Sequence, residues 1–361
     1  MIQWVKSNNK LATIALRYHG NVLHETPGFR GVSHLCEHLK MRWLLDEHEK
    51  YDRCGMHFNA MTGTRDVFFY LSGLSRYMKH FEAEFLERVI HARPTKEEFE
   101  RERKVVLAEY GNAMTSLAGV YRINFLRKKY GFCGPIGYRE DLEKLTYEAF
   151  LSFLEKEFSA PDELLRISRE NGGSTIPFAE KRTAKLAKPS GKTLNLEPYQ
   201  DCAKQEVLHF HAEVPLEDLP RAFFAAQLLS DLGPLFKVLR QEHSLVYGVG
   251  ASAGKISDDR AIFDISGLLD QKNLRQAQAL TQEILAHPEK HITHKRFNDT
   301  LFSTKIQFEL DDMNRAENFR YYLTPEEERL PRWIKQGLLP YDSVMHTLKS
   351  LRFETSCFAE L

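Results

Sequence analysis

The pentad His34-Leu35-Cys36-Glu37-His38 decides how the first half of this chain is read. Its spacing is H-x-x-E-H. On a helix, positions three and four apart share one face, so His34, Glu37 and His38 converge while Cys36 turns away as a small packing residue. Two imidazoles at that spacing supply two neutral nitrogen ligands for Zn²⁺, and the carboxylate beside them can take a proton from a bound water. A metal held by two histidines needs a third protein ligand, with the fourth position left open.

The segment Thr95 to Tyr110, TKEEFERERKVVLAEY, offers that ligand. Pro94 and the capping pair Thr95 and Glu98 predict a helix start. Phe99, Glu102, Val106 and Glu109 then step by three, four and three, which lays two carboxylates along an otherwise apolar stripe. Glutamate on the buried side of a helix needs a partner. Glu109 follows His38 by 71 residues, room for a hairpin and a helix in between.

These residues resemble the pitrilysin/insulinase family of inverzincin metallopeptidases, which includes the mitochondrial processing peptidases. There an H-x-x-E-H helix is followed some seventy-odd residues later by a glutamate ligand, with a second glutamate seven positions before it. Glu109 and Glu102 occupy those places. The resemblance implies His34, His38 and Glu109 as ligands of one Zn²⁺ per chain, Glu37 as general base, and Glu102 as a carboxylate that orients the ligands.

The resemblance extends along the chain. Asn59-Ala60-Met61-Thr62 ahead of the alternating strand Asp66–Tyr70 is similar to the family's N-A-x-T hairpin, whose edge strand pairs with the substrate backbone. This implies Asn59, Ala60 and Met61 as substrate-binding residues; on the residues alone, Thr62-Gly63-Thr64 is a hairpin turn. Gly134-Pro135-Ile136-Gly137, then Leu145-Thr146, is similar to the family's P-x-x-G segment, a structural element. Arg240 and Tyr247, seven apart, resemble the family's Arg/Tyr pair. In relatives that pair reaches the zinc site from the other half, holds the substrate backbone and helps stabilise the oxyanion. Without the resemblance they are an arginine ending a helix and a tyrosine opening a strand.

An internal repeat sets the architecture. Phe69-Tyr-Leu-Ser-Gly-Leu74 recurs as Phe263-Asp-Ile-Ser-Gly-Leu268, and each copy is followed by an amphipathic helix and a second helix carrying Phe99 or Phe297. Two copies are too few for a solenoid and predict an α+β chain of two tandem homologous domains, each an antiparallel sheet packed against helices. Residues 1–175 form the zinc-binding domain, the Pro/Gly-containing stretch 176–193 a linker with a solvated positive run, and residues 194–361 the second domain. Aligning the repeats sets Gln307 opposite Glu109 and Thr300 opposite Glu102, so the second copy lacks the metal ligands.

Fifty Lys plus Arg balance fifty Asp plus Glu in 361 residues, which gives no sign of a nucleic-acid or membrane partner. The amino terminus shows no signal peptide or membrane span. Five cysteines, Cys36, Cys54, Cys133, Cys202 and Cys357, make an odd count without framework spacing and point to the reducing cytoplasm. His209 and His211 share a strand face, where a second metal is conceivable. With no Cys or Asp at ligand spacing nearby they read as sheet residues. His287, His291 and His294 read as surface positions, and His57 lies next to the hairpin.

Two departures from the family pattern stand out. The first strand placed by the sequence is Leu11–Arg17, leaving either a smaller sheet or one completed by a partner. One chain also holds two of the four repeats that relatives assemble around a chamber, which implies a homodimer or a heterodimer with a related peptidase-like subunit. The preferred expectation is a zinc endopeptidase that cleaves short flexible peptides. The alternatives are a non-catalytic peptide-binding or scaffold subunit, and a protease maturing the leader of a small secreted peptide.

Overall fold

The computed structural model describes residues 1–6, 10–132, 134–170, 176–180, 182–186, 204–230, 232–310 and 325–358. Cys133, Cys202 and residues 181 and 187–193 of the expected linker lie outside the described residues. In chain order the first half runs β1 (Ile2–Lys6), β2 (Leu11–His19), α1 (Val32–Asp52), β3 (His57–Thr62), β4 (Asp66–Leu74), α2 (Ser75–Ile90), α3 (Lys96–Ala113), α4 (Leu117–Tyr130), α5 (Arg139–Lys144), α6 (Tyr147–Phe158) and β5 (Glu163–Ser168). The second half contains β6 (Gln205–Val214), α7 (Leu219–Leu229), β7 (Val246–Lys255), β8 (Ala261–Asp270), α8 (Leu274–Ala286), α9 (His294–Leu310) and β9 (Glu354–Ser356).

Alternation in the strands builds the first unit. Ile14, Leu16 and Tyr18 of β2 face the same way as Val67, Phe69 and Leu71 of β4, with Leu16 opposite Phe69 in antiparallel register. Against that face pack Leu35 and Leu39 of α1, Phe85 of α2, and Phe99 and Val106 of α3, all buried. Each such Leu or Phe stabilises the fold by about 2 kcal/mol relative to leaving it in water. The sheet order is β1-β5-β2-β4-β3, which leaves β3 at one edge. A strand precedes the expected first one: β1 adds parallel to β5, Ile2 opposite Leu164. Among the described residues that pair is the parallel exception in an otherwise antiparallel arrangement, and it corrects the expectation that the sheet begins at Leu11.

The second unit repeats the plan with the order β7-β8-β6-β9. Phe263 and Ile265 of β8 stand opposite Ala212 and Phe210 of β6 and are fully buried. Phe224 of α7 meets Phe297 of α9 edge-on at 5.3 Å. Phe69 and Phe263, the repeat's anchors, are thus equivalent core residues. Both second helices, α3 and α9, bury their matching phenylalanine.

The units do not follow chain order. Residues Met114–Lys129, which carry most of α4, group with the second sheet. The reason is its apolar face: Leu117 and Tyr121 pack on Val207, with Phe125 and Leu268 alongside. Arg182, from the run expected to be solvated, instead donates to the Glu157 carboxylate at 2.9 Å.

Candidate metal centre

Helix α1 carries the pentad and is held firmly at its start. The Glu25 carboxylate accepts hydrogen bonds from the Gly31 and Ser33 backbone amides, both at 2.8 Å, and so acts as a cap on the positive end of the helix. Burial pushes this carboxyl up to about 7, against the pull of those amides. Gly31 (φ 96°) and Gly137 (φ 73°) meet backbone to backbone: a Cβ on Gly137 would lie 2.3 Å from the Gly31 Cα. The P-x-x-G segment therefore seats the helix. Further along, buried Lys40 donates to the Val89 and Ile90 carbonyls at 2.8 and 3.1 Å, tying α1 to the end of α2.

Helix α3 starts as its sequence predicts. The Thr95 amide donates to Glu98 at 2.7 Å and the Glu98 amide to the Thr95 hydroxyl at 3.2 Å. Arg103 donates to the Leu145 carbonyl at 2.9 Å, fixing α3 against the connection between α5 and α6.

Between the two helices three donor atoms converge. His34 Nε2 and His38 Nε2 are 3.3 Å apart, and Glu109 Oε2 lies 3.4 Å from the first and 3.6 Å from the second. Four-coordinate zinc with bonds of about 2.0–2.1 Å separates its donors by about 3.3–3.4 Å, so this triangle accepts the ion with little movement. The donor chemistry agrees. Burial, with His38 beside it, pushes His34 down to about 4, which keeps the imidazole neutral as a ligand must be. His34 Nδ1 is buried without a hydrogen-bond partner.

The supporting groups lie behind the donors. Glu102, 7 % exposed, sets Oε2 3.4 Å from His38 Nδ1, while its other oxygen is 3.5 Å from Arg42 Nε. Thr62 Oγ1 donates to Glu37 Oε2 at 2.5 Å. Burial raises the Glu37 carboxyl above the usual range, with the Thr62 hydroxyl pulling the other way. Thr62, Arg42 and Glu25 are the contributors that the sequence reading missed. Arg42 is one helical turn beyond His38 and could have been found by spacing; Glu25 could not.

Asn59, Ala60 and Met61 lie on β3, which pairs with β4 and is the edge strand of its sheet. Met61 is exposed, and the Ala60 amide donates to the Asn59 side chain at 2.9 Å. Arg240 and Tyr247 belong to the second unit. Arg240 sits in the π-helical turn Phe236–Glu242 and donates to the Val246 carbonyl at 2.8 Å. Tyr247, 53 % exposed, donates to Asp270 at 2.7 Å. Ser244 between them has φ 51°, a strained backbone of the kind that gathers at functional sites.

Comparison with known proteins now settles the family. Residues 3–128 match the insulinase family, peptidase family M16, and residues 176–302 match the peptidase M16 inactive domain. The chain belongs to the insulinase family. Two relatives are described as uncharacterized zinc proteases. The one from Rickettsia bellii is 24% identical over 88% of this chain and 84% of its own length; that from Rickettsia felis is 23% identical over 84% and 82%. A protease structure from Helicobacter pylori superposes with a TM-score of 0.74 at 16% identity, covering 99% of this chain and 96% of that one. A peptidase M16 inactive domain from Pseudomonas fluorescens gives 0.72 at 13%, covering 99% and 95%. These two likenesses establish the α+β fold of paired domains. Among the described residues no helix is long and apolar enough to cross a membrane.

Proposed function

We propose that this insulinase-family chain is a zinc-dependent endopeptidase acting on short, flexible peptides. One observation carries the reading: two imidazole nitrogens and a carboxylate oxygen meet within 3.3–3.6 Å on the helix face that also presents Glu37. A zinc ion held by His34, His38 and Glu109 supplies Lewis acidity and makes water acidic near neutral pH.

The chain's own residues do the rest. Glu37 takes a proton from water and passes it to the leaving amine, a task suited to a carboxyl raised by burial. Thr62 holds that carboxyl, and Glu102 orients the His38 ring. The β3 edge at Asn59–Met61 offers main-chain hydrogen bonds to an extended peptide, which favours recognition of backbone over side chains. Arg240 and Tyr247 are assigned to substrate backbone and oxyanion on family resemblance. In this reading the protein works in the cytoplasm, as a homodimer or with a related subunit, in keeping with an odd number of cysteines without framework spacing.

The test is incubation of the zinc-loaded protein with a mixed library of short peptides, with and without chelator, products read by mass. Chelator-sensitive cleavage by the wild type and none by Glu37→Gln is expected. A library left intact under all conditions would favour the non-catalytic peptide-binding alternative.

A further inference from the structure

A second set of ligand-type side chains converges inside the second unit. We propose that His209, His211 and Asp264 form another site for a first-row divalent cation of the zinc class.

The strand geometry makes the cluster. His209 and His211 alternate on β6, so both project from one face of the sheet. Their ring centroids lie 6.0 Å apart. Asp264 stands directly opposite His211 on β8. Its Oδ1 lies 2.6 Å from His211 Nδ1 and 3.1 Å from His209 Nε2. One donor atom from each residue falls within 4.8 Å of the other two. The remaining face of β6, with Leu208, Phe210 and Ala212, is plain apolar core. On the opposite face His209 and His211 are buried and Asp264 is half-buried, and polar groups so placed are costly unless something holds them.

The surroundings are those of a metal-binding imidazole rather than a solvated one. The outer nitrogen of His209, Nδ1, lies 2.8 Å from Tyr121 Oη and 3.1 Å from Ser356 Oγ. Such a partner fixes a ligand histidine's tautomer and ring orientation. Phe125 of α4 packs edge-on against both rings, centroids at 4.5 and 5.0 Å. A cavity of about 320 Å³, lined in part by His209, Asp264, Ser252 and Ser266, opens beside it and leaves room for water in a further coordination position.

Neutral rings protonated at His209 Nε2 and His211 Nδ1 would each donate to Asp264 Oδ1. A cation bound at His209 Nε2 and His211 Nδ1 would leave the ring protons on His209 Nδ1, beside the Tyr121 and Ser356 hydroxyls, and on His211 Nε2. No net proton is lost. Two nitrogens and one carboxylate suit zinc, cobalt or nickel better than calcium, which takes six to eight oxygens. The ion would tie β6 and β8 together beneath α4.

The experiment uses the full chain and Co²⁺ alone, with stoichiometry from equilibrium dialysis and coordination from visible absorption. In wild-type protein, Asp264→Asn should lower the bound cobalt by one equivalent. In a His34→Ala/His38→Ala background, which disables the first centre, one equivalent with ligand-field bands should remain and should be lost on adding Asp264→Asn or His211→Asn. Cobalt stoichiometry unchanged by Asp264→Asn in the wild-type chain overturns the proposal. So does a folded His34→Ala/His38→Ala protein, by circular dichroism, that binds no cobalt. Should that double variant fail to fold, the wild-type comparison decides alone.

Discussion

Thr62 Oγ1 donates a hydrogen bond of 2.5 Å to Glu37 Oε2, joining the end of edge strand β3 to the acidic residue of the H-x-x-E-H helix. The strand proposed to hold the peptide thus also holds the carboxylate proposed to act on it. Thr62→Val keeps the side-chain shape and removes the donor. Its kcat should fall about tenfold, equivalent to about 1.4 kcal/mol of barrier, with KM and zinc content little changed. Steady-state kinetics on a cleaved peptide read this directly; a kcat equal to wild type would mean the contact does not position Glu37.

Glu102 faces His38 with one oxygen and Arg42 with the other. Glu102→Gln retains the volume and loses the charge behind the ligand. Zinc affinity should drop by about 10–100-fold, the usual effect of removing such a partner. Competition against a chromophoric chelator measures it, and undiminished affinity would reduce Glu102 to a salt-bridge residue.

Glu157 sets an acid limit on the first unit. The His24 ring, its Nδ1 3.7 Å from the carboxylate, aided by Lys156 and Arg182, outweighs burial and holds the Glu157 carboxyl down at about 2. Because the folded value lies below the unfolded one, the stabilisation is present above about pH 4.5 and is lost as pH falls toward 2. Allowing for solvent screening it amounts to about 2 kcal/mol. Urea unfolding at pH 6 and pH 3 should show a steeper loss for wild type than for Glu157→Gln; parallel losses would rule this group out.

Lys40 is buried and donates to the last carbonyls of α2, although burial pushes its ammonium down to about 7. Lys40→Met preserves the packing of the stem and leaves both carbonyls unpaired. A loss of about 1–3 kcal/mol is expected, the cost of unsatisfied buried acceptors. Thermal unfolding should show a lower Tm with zinc binding intact; a Tm at or above wild type would show that removing the buried charge outweighs the lost bonds.

What the sequence disclosed and what it concealed divide along physical lines. The convergence of His34, His38 and Glu109 was legible because helical spacing puts side chains three or four apart on one face, and the capping pair Thr95–Glu98 marked where the second helix starts. The repeat exposed Phe69 and Phe263 as equivalent anchors. Strand β1 was hidden because five residues with partial burial, Ile2–Lys6, carry little periodic signal. The docking of α4 on the second sheet was hidden because Tyr121 and Phe125 say that a face is apolar, not which sheet it meets. Asp264 escaped notice for a related reason. It lies 53 residues from His211, and only strand pairing brings them together.

The sharpest test of the centre between α1 and α3 is anomalous diffraction at the zinc edge from crystals of the zinc-loaded full chain. A peak within about 2.0–2.2 Å of His34 Nε2, His38 Nε2 and a Glu109 carboxylate oxygen is expected. Density for those three side chains with no anomalous peak among them would contradict the account.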